Sequence, residues 1–316
     1  MIRNLAATLA LSAAFGAAQA QTYPAGPINL VIPLAAGDAT DTAGRVIAEE
    51  LARELKVALV PVNRPGAAGA LGADLVVKAP KDGHTVLLAN NASLVFRTVL
   101  DPKAASYDPF RDLTPLALAM RSPSVLVVNA EQPYRTLKDM VAHAKKAPVR
   151  IGTAGVGSVG HFCVNTIAAL TKTELTMVPF TGAMPAVTAV RGGHIEGVVL
   201  ALGTMTGHLK SGAVRGLAIS TKTPEFPDLP TLAELGYSEP LFDVWTAFFA
   251  PAGIPSEVTR VLVPALERAI RSPAVAARLQ PLGIVPEYAP PEKLVAAMRD
   301  EHRRVSELAR QAGLVK

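Results

Sequence analysis

Short β-branched apolar runs alternate along the chain with longer stretches whose apolar residues recur every three or four positions. Residues 28–33 predict a buried strand, and 41–55 a helix with one inward face formed by Ala43, Val46, Ile47, Leu51 and Leu55. Strands are expected at 59–60 and 85–89 around a helix at 71–79. A further strand is expected at 124–128, then helix 137–146, strand 149–153, helix 161–171 and strand 175–179. Helix 184–191 and strands 197–201 and 214–219 follow, before a C-terminal run of helices at 257–271, 273–282 and 291–311. Such alternation predicts an α/β protein with parallel sheets covered on both faces. Two extended runs, 123–128 and 245–251, read as crossings between two lobes.

The first twenty residues do not fit this rhythm. Arg3 gives a positive start, Leu5 to Ala18 is almost entirely apolar, and Ala18-Gln19-Ala20 offers small residues at a cleavage site. This reads as a signal peptide cut before Gln21. The run is too short for a span, which needs roughly 20 apolar residues, and no later stretch is longer. Gln21 stands where a lipoprotein would need cysteine. The lone Cys163 permits no internal disulfide, which favours a bacterial periplasm over an animal secretory route and makes Cys163 a small buried apolar residue. About 296 residues remain, enough for two cores.

Composition narrows the chemistry. Half the residues are apolar and the formal charge is +5, which excludes a disordered chain. The basic residues are scattered and aromatics make up 5%, so a nucleic-acid surface is not expected. Nor do the six dispersed histidines suggest a metal site.

In doubly wound sheets ligands sit where strands feed helix N-termini, which points to three loops. Residues 33–41, Pro-Leu-Ala-Ala-Gly-Asp-Ala-Thr-Asp, let a ligand approach the backbone and present amides to an anion; the plainer reading is a βα turn with Thr40 as N-cap. Residues 152–161 contain Gly155-Val156-Gly157-Ser158-Val159-Gly160, a literal GxGxxG. The acidic residue that would hold a ribose fails to appear: Glu174 precedes strand 175–179 instead of ending it. Ser158 and His161 suggest a hydrolase, but Val156 stands where a nucleophile elbow needs glycine, and no third member is evident. The third loop, 179–185, again runs from a strand through small residues into a helix. Together the loops offer backbone and hydroxyl donors without clustered Lys or Arg, as suits a carboxylate that must be released.

These segments resemble the periplasmic solute receptors of tripartite tricarboxylate transporters, the Bug receptors, over essentially the whole mature chain. The first loop is similar to the family's P-F-x-P-G-G-x-x-D element, and Asn63-Arg64-Pro65-Gly66-Ala67-Ala68-Gly69 to E-N-R-P-G-A-G-G. Gly72-Ala73-Asp74, Ala79-Pro80-Lys81-Asp82-Gly83, Tyr107-Asp108-Pro109, Val127-Val128-Asn129, Val178-Pro179-Phe180-Thr181-Gly182, Gly192-Gly193 and Phe249-Ala250-Pro251-Ala252-Gly253 follow in the family's order.

The resemblance implies a two-lobed type II periplasmic-binding-protein fold. Lobe 1 is expected at 21–122 plus 246–316 and lobe 2 at 123–245. It implies capture of a small organic carboxylate, without cofactor or catalysis, by a monomer that is not membrane-embedded. Delivery would be to the large and small membrane subunits of an ion-driven transporter. The expected ligand-binding set is Gly37, Asp38, Ala39, Thr40, Asn90, Ser93, Gly155, Gly157, Ser158, His161, Thr181, Gly182 and Ala201. A sensor feeding a signalling partner, and a periplasmic hydrolase using Ser158 and His161, stay open as alternatives.

Two departures stand out. Asp38 replaces the family's second loop glycine, so it must point away, be paired, or greet a positive group, because an unpaired buried carboxylate is costly. Leu200-Ala201 replaces an acidic residue and Asn found in many members, which removes a partner for an amine and makes the pocket more apolar. The two departures therefore pull in opposite directions on whether the ligand is cationic. Phe180 and Trp245 read either as flanks for an aromatic acid or as packing, and 63–69 as a rigid turn.

Overall fold

The computed structural model describes residues 23–102, 106–311 and 315. The expected signal peptide lies outside the described residues. Among the described residues eleven strands form two mixed sheets flanked by helices. In chain order the strands are β1 (Ile28–Ile32), β2 (Leu59–Asn63), β3 (Thr85–Asn90), β4 (Leu113–Ser122), β5 (Ser124–Asn129) and β6 (Val149–Thr153). They continue as β7 (Leu175–Pro179), β8 (Gly197–Ala201), β9 (Val214–Ile219), β10 (Val244–Pro251) and β11 (Val285–Ala289). The first sheet has the order β11-β4-β10-β3-β1-β2 and the second β7-β6-β8-β5-β9.

The expectation of parallel sheets needs correcting. β1 runs parallel to β2 and β3, and β6 parallel to β7 and β8. β10 is antiparallel to β3 and β4, β11 to β4, and β5 to β8 and β9. A strand that enters from the other lobe arrives without a crossover helix, and antiparallel pairing needs none. The runs expected as crossings are themselves buried strands. Pro123 alone joins β4 of one sheet to β5 of the other, and the chain returns between Ile219 and Val244. β10 lies centrally between β4 and β3, with every residue buried.

The helices relevant to the cleft are α1 (Ala39–Leu55), α2 (Ala70–Val77), α3 (Arg97–Leu100), α4 (Leu137–Ala144), α5 (Val159–Thr171), α6 (Ala183–Arg191) and α7 (Leu202–Lys210). A π-helical turn, Ala92–Phe96, precedes α3 and carries the chain out of β3. α8 (Ser256–Ile270), α9 (Pro273–Leu279) and α10 (Pro291–Gln311) complete the chain. α1 begins two residues earlier than expected, and its N-cap is Asp38 rather than Thr40: the Asp38 Oδ1 accepts the Thr40 N–H at 2.8 Å. Thr40 turns inward instead, its hydroxyl 3.2 Å from that of Thr246 on β10. Apolar residues of the first sheet, with one face of the second sheet and α5, form the larger core, and β5, β8, α6 and α7 build a smaller one on the other face of the second sheet. Cys163 is fully buried, and burial pushes its thiol up to about 12. Among the described residues no helix is long and apolar enough to cross a membrane.

Candidate functional site

The carboxyl ends of β1, β3, β6 and β8 converge between the two sheets, and α1, α5, α6 and α7 start there. A cavity of about 40 Å³ lies at this junction, where roughly 10–15 Å³ would hold one water. Asp38, Asn90, Ser158 and Ala201 of the expected set line it. Ser124, Gly160 and Leu200 share its wall, with apolar Leu34, Ala68, Ala92, Ala154, Val159, Ala183, Val199 and Val244. A wider chamber of about 270 Å³ lies nearby, lined by Gly155, Thr181 and Gly182 together with the 65–69 turn, Arg97 and Phe180.

The glycine-rich loop owes its composition to packing and backbone shape. Gly155 and Gly157 have φ of 124° and 82°, in the region where only glycine is unstrained. A Cβ on Gly160 would stand 2.3 Å from the Val199 carbonyl oxygen, so any side chain there would push α5 off β8. Ser158 then caps α5, its Oγ accepting the His161 N–H at 3.2 Å. The next two amides, of Val159 and Gly160, have no protein acceptor among the described residues, and both residues line the cavity. They form a donor end for an anion, strengthened by the helix dipole.

Ser158 and His161 do not bond to each other through their side chains. The His161 Nδ1 accepts the Gly157 N–H at 3.2 Å, and burial lowers the imidazole pKa. That ring nitrogen is therefore committed to the loop, which is not the arrangement of a nucleophile and its base.

The α1 end is built differently. The Gly37 N–H donates to Asp41 Oδ2, Asp38 N–H to the Ala35 carbonyl, Ala39 N–H to Thr204 Oγ1 and Thr40 N–H to Asp38. Thr204 belongs to α7, on the other side of the junction, so the Ala39 bond ties the lobes together at 3.1 Å. Asp41 is held by Arg45 and Asn63; burial pushes its pKa up, and those hydrogen bonds with that of Gly37 outweigh it, so it lies below the usual range. Asp38 is the contrasting case. It is buried, no basic group acts on it, and burial together with the Asp41 charge pushes it up to about 6 despite its bonds from Thr40. Asp38 thus lines the cavity, held by Thr40, and among the described residues no basic side chain balances its charge.

Asn90, at the end of β3, is 7% exposed, and its Oδ1 has no hydrogen-bond partner among the described residues. Its neighbour Ser93 lines neither of the two cavities. The π turn points it inward, where its hydroxyl donates to the Asn90 carbonyl and its own carbonyl accepts from Tyr107. Gly37, Ala39, Thr40, Gly157 and His161 also stand behind the wall, holding the loops that form it. Phe180 lines only the wider chamber. Trp245 is buried and donates to Glu301 at 2.7 Å, which makes it packing.

The sequence reading missed Arg97 and Ser124. Arg97 reaches across the junction to the Val156 carbonyl at 3.3 Å and lines the wider chamber. Ser124 is the first residue of β5, and nothing local marks it as a wall residue. The 63–69 segment is the rigid turn expected, with Ala67 and Ala68 at φ of 49° and 53°. It does more than turn, since Ala68 reaches the inner cavity and the Asn63 amide braces the Leu34 carbonyl at 2.9 Å.

Comparison with known proteins agrees with this architecture. Residues 43–314 match the tripartite tricarboxylate transporter family receptor, TctC. Protein BugT of Bordetella pertussis is 32% identical over 299 residues, covering 93% of this chain and 91% of that protein. A protein encoded between tcbD and tcbE in Pseudomonas sp. strain P51 is also 32% identical, covering 97% of this chain and 93% of its own length. Among solved structures, MatC of Rhodopseudomonas palustris with bound malate is 30% identical with a TM-score of 0.85, over 90% of this chain and 99% of that one. A second R. palustris protein, solved with adipate, is 27% identical with a TM-score of 0.88, over 92% and 98%. The periplasmic binding protein BugD is 28% identical with a TM-score of 0.86, over 92% and 99%. The chain belongs to the tripartite tricarboxylate transporter receptor family of periplasmic solute-binding proteins.

Proposed function

We propose that this protein captures a small organic carboxylate between its two lobes and presents it to the large and small membrane subunits of an ion-driven transporter. The observation that carries the reading is the start of α5, where two unpaired amides face a cavity bounded by both sheets. A carboxylate there takes charge-assisted hydrogen bonds in a place shielded from water. Contacts made to both lobes exist only when they are together, so ligand shifts the protein toward the closed form, which the membrane subunits then recognise. The ligands of the malate and adipate complexes belong to the same chemical class. Residues 21–122 with 246–316 and residues 123–245 are the moving bodies in this scheme, and a cleaved leader before Gln21 delivers a monomer to the periplasm.

Isothermal titration against a panel of mono- and dicarboxylates tests the reading. Saturable one-to-one heat with at least one acid is expected, and silence across the panel overturns it.

A further inference from the structure

The inner cavity has free amide donors on one side and, on the other, an unbalanced carboxylate and an unmatched amide oxygen. Among the described residues Asp38 is the single ionisable side chain on its wall, and no lysine, arginine or histidine lines it. Asp38 accepts from Thr40 but has no cation to balance its charge, whereas Asn90 Oδ1 is a buried acceptor without a donor among the described residues. The amides that a carboxylate would use on this side are already bonded, those of Gly37, Asp38, Ala39 and Thr40 each to a protein oxygen. Two carboxylates facing each other at this spot would repel, whereas an ammonium group satisfies both acceptors and neutralises the buried charge.

Building on the carboxylate-capture reading, we propose that the ligand is a short amino carboxylate, its ammonium group held by Asp38 and Asn90 and its carboxylate by the Val159 and Gly160 amides. Asp38 thereby sets specificity against carboxylates that lack the amine. The cavity, with room for about three water-sized groups, favours a short chain. Burial raises the Asp38 pKa to about 6, so near neutral pH its carboxylate carries a charge that no protein cation among the described residues offsets.

Titration with matched pairs tests this: glycine with acetate, β-alanine with propionate, 4-aminobutyrate with butyrate, aspartate with succinate and glutamate with glutarate, and malate and adipate beside them. At least one amine is expected to bind tenfold or more tighter than its partner, and Asp38→Asn, which keeps a capping oxygen, to erase that preference. Wild-type affinity for the amine is expected to fall as pH drops below about 6, because the carboxylate is then protonated. Asp41, the other charge acting on Asp38, stays ionised through that range because Arg45 and Asn63 hold it. Preference for the unaminated acids, a preference unchanged in Asp38→Asn, or affinity that rises toward low pH overturns the amine assignment and leaves carboxylate capture standing. Silence with every compound overturns carboxylate capture itself.

Discussion

The starts of α1 and α5 face one cavity, follow glycine-bearing loops and are capped by side-chain oxygens, yet they offer opposite chemistry. At α5 the cap is a neutral serine, and two amides beyond it have no protein acceptor among the described residues. At α1 the cap is a carboxylate, and the amides around it are consumed by Asp41, Ala35, Thr204 and Asp38 itself. A helix N-terminus is thus a donor site only when its first amides are left over after the loop has been satisfied. The lesson is that loop sequence alone does not settle polarity; one side chain at the cap can reverse it.

The largest effect on this comparison is expected from removing the Asp38 charge. Its folded pKa of about 6 lies above an unfolded value near 3.9, so the native state holds more protons than the unfolded state between the two. The Asp38 contribution to wild-type stability therefore declines as pH rises from about 4 through 6, by on the order of 3 kcal/mol at most. Asp38→Asn escapes that loss. It should melt higher than wild type at pH 7.5, with the gap closing toward pH 4. Equal pH profiles would mean that Asp38 is solvated in the unliganded protein.

On the α5 side, Gly160→Ala places a methyl group against the Val199 carbonyl. Backbone cannot swing aside as a side chain can, so a loss of roughly 1–3 kcal/mol is expected in urea unfolding. Ligand affinity should fall with it, because the displaced helix carries the free amides. A smaller loss, about 1 kcal/mol, is expected for Ser158→Ala, which removes the cap. That variant also releases the His161 amide, so it sharpens the contrast: α5 gains a donor while losing stability. A bulky residue at 158 is no clean probe of binding, since it removes the same cap.

Much of the fold was legible because its strands are β-branched runs and its helices carry one apolar face. β4 was not. Leu-Thr-Pro-Leu-Ala-Leu-Ala-Met-Arg-Ser is rich in helix formers and contains a proline, and it is held extended by β10 and β11 on either side. β11 is short and carries Pro286, and α7 contains Gly203 and Gly207, so local preference hides both. Strand direction left no trace in composition, which is why the antiparallel entries of β5 and β10 were missed. In the site, the three loops announced themselves through small residues, and Asp38 through its departure from the family pattern. The apolar wall residues and Ser124 have no such mark. Nor could the loss of the Ala39 amide be read, because its acceptor, Thr204, lies 165 residues away.

That bond offers the smallest and most discriminating test. Thr204→Val keeps the shape of the side chain and deletes the hydroxyl that accepts from Ala39 across the junction. With the lobes together the Ala39 N–H is then buried without a partner; with the lobes apart water can reach it. The substitution should therefore favour the open form by about 1 kcal/mol, which corresponds to roughly fivefold weaker binding of the tightest acid in the panel. Small-angle scattering of the unliganded variant should show a larger radius of gyration than wild type. Tighter binding would carry the opposite message. It would mean that the freed amide serves the ligand, that α1 is a donor end held in reserve by Thr204, and that the difference between the two helix starts depends on that one hydroxyl.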